Sequence, residues 1–257
     1  MNISLTALPA FSDNYIWLAI NMQRSTAAII DPGTADTCID FLENKQISPV
    51  AILITHRHWD HTGGIAELLA RYDIPVFGPA NEKIQGITDR VTPGDHIKLD
   101  KIDTGFDVMD LSGHTSGHVG YLTEGVLFCG DTLFSAGCGR LFDGTAAQLY
   151  ASLQRISALP GDTKICCAHE YTLDNLSFAA TIEPDNSAIQ QRIDEVRQLR
   201  SRDLPSLPVE LREEKRYNPF LRTHLPAIAT AVADHSGKNI DDSEQCFTAL
   251  RMWKDGF

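Results

Sequence analysis

The segment Thr55-His56-Arg57-His58-Trp59-Asp60-His61-Thr62-Gly63-Gly64 follows directly on the apolar run Val50-Ala51-Ile52-Leu53-Ile54. It places three imidazoles and a carboxylate within six residues, at the end of a run that reads as a buried strand. In extended backbone, side chains two apart share a face, so His56 and His58 turn toward one cation. The turn at Asp60 and His61 aims those two at a neighbouring one. As ordinary core or surface residues, each would be costly to leave without a partner. The pattern therefore predicts a two-metal site.

Such a site needs further donors, and three residues offer them at the same structural position, just after an apolar run. His114 lies in Ser112-Gly113-His114-Thr115-Ser116-Gly117-His118, after Val108 to Leu111, where glycines permit a tight turn. Asp131 closes Val126-Leu127-Phe128-Cys129-Gly130-Asp131, and a carboxylate has two oxygens with which to bridge two cations. His169 follows Lys164 to Ala168 in the same way. Singly, these read as a loop histidine, a turn-forming Asp and a satisfied core histidine. Their joint occurrence carries the argument. Imidazoles and carboxylates without thiolates suit zinc, iron or manganese in a catalytic rather than a structural site.

The 257 residues carry a formal charge of −12 and are 43% hydrophobic, an ordinary globular composition. The longest apolar runs are far short of the roughly 18 residues of a membrane span. Scattered Lys and Arg on an acidic chain argue against nucleic acid as a partner. Residues 1–14 lack the basic head and apolar centre of a secretory signal, and six cysteines at no framework spacing read as reduced thiols, so a cytoplasmic protein without disulfides is expected.

Short β-branched or apolar runs alternate with helical patterns up to about residue 169: strands near 3–8, 15–20, 27–30, 50–54, 119–122, 126–129 and 164–168, and helices near 35–44, 64–72 and 146–158. Thr145 with Gln148 three residues on is a capping box. Past Tyr171 strand signals vanish; Ile189, Ile193, Val196 and Leu199 recur at helical spacing, prolines within 204–208 stop one helix, Ala227 to Ala233 suggests another, and Asp241 with Glu244 caps a last one carrying Phe247, Leu250 and Trp253. A boundary near residue 170 follows.

The segments THRHWDH, GHTSGH, GDT and AHEYT together resemble the metallo-β-lactamase fold superfamily. Leu133 to Thr145 (LFSAGCGRLFDGT), His169 to Ala179 (HEYTLDNLSFA), Arg216 to Arg222 (RYNPFLR) and Ala249 to Phe257 (ALRMWKDGF) resemble its glyoxalase II branch over nearly the whole chain. The resemblance implies a four-layer α/β/β/α sandwich over residues 1–169 as the catalytic domain, and a small helical substrate-binding domain over 170–257. It implies that His56, His58 and His114 hold one divalent ion and Asp60, His61 and His169 the second, with Asp131 and a hydroxide bridging them; Asp60 and Asp131 are the catalytic carboxylates. Two ions per chain are expected, zinc first, with iron or manganese accepted by the same donors. His118 matches no ligand position and is given a supporting role; His96, His224 and His235 are expected to be ordinary.

The implied reaction is hydrolysis of S-D-lactoylglutathione to D-lactate and glutathione, the second step of methylglyoxal detoxification. Paired cations make a nucleophile of water, and a thiolate is already a good leaving group. An anionic substrate on an acidic chain needs local cations; by matching motifs these are Arg140, Arg251 and Lys254, with Tyr171 a phenol that donates to the peptide portion of glutathione. Phe142 stands where some relatives carry tyrosine, which removes a hydroxyl from the pocket. A monomer acting on a small molecule is expected. The alternative within the superfamily is a mono-iron dioxygenase of glutathione persulfide. A secreted β-lactamase would carry Cys at the position of Asp131, and an RNA-processing member would need a basic surface.

Overall fold

A computed structural model describes residues 3–257. Its contacts divide the chain into two compact units: residues up to 111 with 117–130, and residues 112–116 with 131–257.

The first unit holds two sheets. The first is built from β1 (Ser4–Ala10), β2 (Asn14–Asn21), β3 (Thr26–Ile30), β4 (Ser48–Leu53), β5 (Val76–Pro79) and β6 (Asp89–Val91), in that order. It is mixed: β1, β2 and β3 pair antiparallel, and β3 to β6 pair parallel. Every residue of β2 is buried, as is the apolar end of β4, so these strands are covered on both faces. Helices α1 (Asp36–Lys45), α2 (Trp59–Thr62) and α3 (Ile65–Arg71) follow β3 and β4, and Leu42, Ile65 and Leu68 pack with Leu18, Ile29 and Ile52 in one core.

β7 (His96–Leu99), β8 (Thr104–Asp110), β9 (Val119–Thr123) and β10 (Val126–Gly130) run antiparallel in succession. Trp17 meets Phe128 with ring centroids 6.5 Å apart, and the Tyr121 hydroxyl donates to the Ile54 carbonyl at 2.6 Å, tying this sheet to the first. Strands β5, β6 and β7 were not expected; they are three or four residues long, and β6 and β7 carry charged or exposed positions that mask the apolar pattern.

In the second unit β11 (Leu133–Phe134) and β12 (Gly137–Cys138) form a hairpin, followed by α4 (Ala146–Ser157), β13 (Lys164–Cys167), α5 (Thr172–Ile182), α6 (Ser187–Arg200), β14 (Val209–Glu210), α7 (Leu211–Tyr217), α8 (Pro226–Ser236) and α9 (Ser243–Asp255). The capping box at Thr145 and Gln148 is present. Two expectations are corrected. A short strand, β14, lies beyond residue 171 and pairs with β13, a bridge too brief to show as periodicity. The last helix is capped by Asp242, whose side chain accepts from the Gln245 amide, rather than by Asp241 with Glu244. Helix α6 ends at Arg200, ahead of the prolines within 204–208. Among the described residues no helix is long and apolar enough to cross a membrane. All six cysteine thiols are buried.

Candidate metal centre

Of the four candidate donors of the first unit, His56 and His58 lie between β4 and α2, and Asp60 and His61 are neighbours on α2. Asp31 Oδ1 accepts from the Thr55 amide and Oδ2 from the Thr55 hydroxyl, both at 2.7 Å. That hydroxyl has spent its proton on Asp31, so His56 Nδ1, 3.1 Å from Thr55 Oγ1, carries its own proton and donates. The lone pair of His56 is then on Nε2, which faces His58 Nδ1 at 3.0 Å. Two metal–nitrogen bonds of about 2.0–2.1 Å at a roughly right angle span about this separation. The donor pair fits a cation.

His61 is buried, with Nδ1 3.1 Å from Asp31 Oδ2 and Nε2 3.5 Å from Asp60 Oδ2. Asp60 Oδ2 also accepts from Asn14 Nδ2 at 3.0 Å. Asp31, Asn14 and Glu82, which accepts from the Arg57 amide at 2.6 Å, were missed from the sequence. Asp31 heads Asp31-Pro32-Gly33 directly after β3, the same strand-end position that singled out Asp131, and could have been found by that signal. Gly33 lets the segment close up: a Cβ there would lie 2.0 Å from the Asp60 carbonyl oxygen. His118 stacks on His56 at 4.7 Å between centroids, and a Cβ on Gly130 would strike its ring. His96 pairs with Asp107 on the surface.

The second unit carries the other three. His114 Nδ1 lies 2.8 Å from the Arg140 carbonyl oxygen, which only accepts, so the lone pair is again on Nε2. Asp131 places Oδ2 3.4 Å from His114 Nε2 and Oδ1 3.4 Å from His169 Nε2. Each separation is long for a hydrogen bond and matches two metal–ligand bonds meeting at about a tetrahedral angle. One carboxylate thus offers an oxygen to each of two imidazoles, the arrangement a bridging ligand requires. Gly113, at φ 141°, brings the His114 loop against Leu149, whose Cα would sit 2.4 Å from any Cβ there.

In the same unit Phe134, Cys138, Arg140, Tyr171, Asp174, Asn175, Arg251, Lys254 and Asp255 line a cleft of about 250 Å³. It gathers four of the five residues expected to touch substrate. Phe142 is not among them: its ring is 64% exposed and sets its edge against His114 at 5.0 Å. Tyr171 stacks on His169, with centroids 4.8 Å apart and planes 7° from parallel. Arg140 is the exposed cation, 3.7 Å from Asp255. Arg251 is buried and committed to the wall, donating to the Cys138 carbonyl at 2.9 Å and to Asp255 at 3.0 Å. Lys254 lies 5.1 Å from the Phe178 and Phe257 ring centres. Burial, then the Arg251 charge, holds its ammonium below the usual lysine range, and Asp174 acts against both.

Residues 13–169 match the Metallo-beta-lactamase superfamily, and the two-sheet fold with strand-end imidazoles and carboxylates is the fold of that class. ETHE1 from Myxococcus xanthus shares the fold, with a TM-score of 0.67 at 23% identity over 98% of this chain and 90% of its own. Residues 170–257 match the Hydroxyacylglutathione hydrolase C-terminus. Hydroxyacylglutathione hydrolases of Alkalilimnicola ehrlichii and Photobacterium profundum are 46% and 48% identical; the first match covers 98% of both chains, the second 99% of this chain and 100% of the relative. The chain belongs to the hydroxyacylglutathione hydrolase, or glyoxalase II, family.

Proposed function

We propose that the chain hydrolyses the thioester S-D-lactoylglutathione to D-lactate and glutathione, with residues 1–169 supplying catalysis and 170–257 completing the substrate site. The observation that carries this is Asp131, whose two oxygens face the imidazoles of His114 and His169, in a chain that matches a hydroxyacylglutathione hydrolase over 98% of its length. The identity of 46–48% and the match of residues 170–257 to the Hydroxyacylglutathione hydrolase C-terminus favour the hydrolase over a persulfide dioxygenase.

His56, His58 and His114 would hold one divalent ion, and Asp60, His61 and His169 the second, with Asp131 common to both. Zinc suits these donors, and iron or manganese are accepted by the same set. When bound, paired ions lower the pKa of a shared water toward neutrality and polarise the thioester carbonyl. The protein's part is orientation. Thr55 and the Arg140 carbonyl fix the tautomers of His56 and His114, so both rings present a lone pair rather than a proton. Asn14 holds Asp60 by one oxygen. Arg140 and Lys254 meet the glutathione carboxylates, and the Tyr171 hydroxyl donates to its peptide portion; Phe142 would offer an apolar contact at most. The thiol in the cleft wall, Cys138, is not poised as a nucleophile, since burial pushes it up to about 11. Buried thiols of this kind accord with a reducing compartment, and the cytoplasm is the proposed location. One chain carries every donor named, which supports action as a monomer.

Loss of thioester absorbance from S-D-lactoylglutathione, followed with elemental analysis of the same sample, tests the reading. Turnover that rises with metal content toward two ions per chain is expected; a metal-loaded protein that leaves the thioester intact refutes it.

A further inference from the structure

The Glu214 side chain is completely buried, and no part of the reaction described above uses it. Its Oε1 accepts from the Ser135 hydroxyl at 2.6 Å and the Tyr217 hydroxyl at 2.9 Å; its Oε2 accepts from the Ala136 amide at 2.8 Å and Asn218 Nδ2 at 3.0 Å. Two of the four donors, Ser135 and Ala136, form the turn of the β11–β12 hairpin. Asn218 reaches the same hairpin directly, donating to the Phe134 and Gly137 carbonyls at 3.1 and 3.0 Å. Asn175, on the cleft wall, donates to the Ser135 carbonyl at 3.1 Å.

The turn needs such support. Ala136 has φ 57°, in the left-handed region that a residue with a Cβ adopts only when its surroundings hold it there. On either side of the turn stand Phe134 and Cys138, both in the cleft wall, and Arg140 follows two residues later. Phe134 in turn presses its ring edgewise on His169 and Tyr171, at 5.7 and 5.2 Å. A buried carboxyl lacking partners would give up its charge, and burial holds this one above the usual glutamate range even against the lowering effect of its four donors. Geometry ties the group to the hairpin: two N–H groups and two hydroxyls converge on its two oxygens. The ionised carboxylate accepts from all four, whereas an amide or a protonated acid keeps the Ala136 and Asn218 bonds only by turning a donor toward the Ser135 and Tyr217 hydroxyls, which must then reverse to accept.

We infer that Glu214 is a positioning residue for substrate: through the Ser135-Ala136 turn it sets where Phe134, Cys138 and Arg140 stand in the cleft that takes glutathione. The inference rests on the glutathione reading of that cleft given above. Glu214 touches neither substrate nor metal donors, so its removal should weaken binding of the glutathione portion and spare the metal site.

The test compares the metal-loaded full chain with Glu214→Gln, measuring kcat and KM for S-D-lactoylglutathione, glutathione binding by calorimetry, metal content and the thermal midpoint. The expected result is a rise of tenfold or more in KM and in the glutathione Kd together, with kcat within about threefold and metal content unchanged. A lower thermal midpoint with unaltered KM and Kd would show a purely structural role and overturn the inference. Should Glu214→Gln fail to fold, Ser135→Ala and Tyr217→Phe each delete one donor; a KM rise in Ser135→Ala above that in Tyr217→Phe is expected, because only Ser135 is on the hairpin, and no rise in either overturns it. If the unsubstituted protein hydrolyses the thioester yet glutathione itself shows no binding, the cleft reading fails instead, independently of Glu214.

Discussion

The imidazole of His114 is held by the backbone of Arg140: Nδ1–H donates to the Arg140 carbonyl at 2.8 Å, while the Arg140 guanidinium reaches the cleft in which substrate is proposed to bind. One residue thus fixes a candidate metal donor through its main chain and lines the proposed substrate cleft through its side chain. The two roles separate on substitution. Arg140→Ala keeps the carbonyl, so metal content should be unchanged while KM rises about 5- to 10-fold, the worth of one exposed charge-assisted contact. Loss of metal in this variant would contradict the division of labour.

Asp131→Ala removes both oxygens that face His114 and His169. Turnover should drop at least about a thousandfold, roughly 4 kcal/mol of transition-state stabilisation, and bound metal should fall below two ions per chain. Elemental analysis beside a rate measurement decides the matter; unchanged activity would dismiss the bridge.

Asp31 orients without being a donor in the proposed set. Asp31→Asn weakens its hold on Thr55 and on His61, and metal affinity should decline about 10- to 100-fold, the usual effect of losing a partner behind a ligand. Competition with a chelator reads this directly. Retention equal to that of the parent protein would show that Thr55 and His61 need no such anchor.

Arg251 and Lys254 should behave differently although both line the cleft. Arg251→Ala leaves the Cys138 carbonyl and Asp255 without their guanidinium, so a raised KM should come with a stability loss of about 2–4 kcal/mol, seen as a lower thermal midpoint. Lys254→Ala should raise KM with a much smaller change in midpoint, since its side chain is half-buried over aromatic rings rather than locked to backbone. Equal midpoints for the two variants would refute the distinction.

The thiols give a pH dependence. In the unfolded chain Cys38 and Cys138 ionise near 9.0, whereas burial moves them to about 12 and about 11 in the folded one. Between those values the unfolded state binds fewer protons than the folded state, so these groups favour folding fully below about pH 9 and progressively less as the pH rises toward their folded values. Iodoacetamide at about pH 8 should leave both unmodified in the native protein and label them after unfolding; rapid native labelling would show that the burial is not maintained.

The strand-end rule accounts for what could be read without coordinates. His56, His58, Asp60, His61, His114, Asp131 and His169 each stand at or just past the end of an apolar run, and that position is written in local sequence because burial of a strand demands contiguous apolar residues. The capping box at Thr145 was legible for the same reason: its partners are three residues apart. β6 and β7 were not, because strands three or four residues long with exposed or charged positions hold too few apolar residues to show a period.

What the chain's order of residues determined by itself is the inventory of candidate donors, the change near residue 170 from mixed to mainly helical structure, and the family to which the whole belongs. What only the tertiary structure decided is which nitrogen of His56 and of His114 holds the proton, that Arg251 is spent on the Cys138 carbonyl, and that Glu214 gathers four donors. The deciding partners include ones 24 to 113 positions apart, and even Tyr217 and Asn218, three and four residues from Glu214, meet it only because Ser135 and Ala136 arrive from 79 and 78 positions away. A hydrogen bond requires distance and direction in space, and separation along a chain encodes neither.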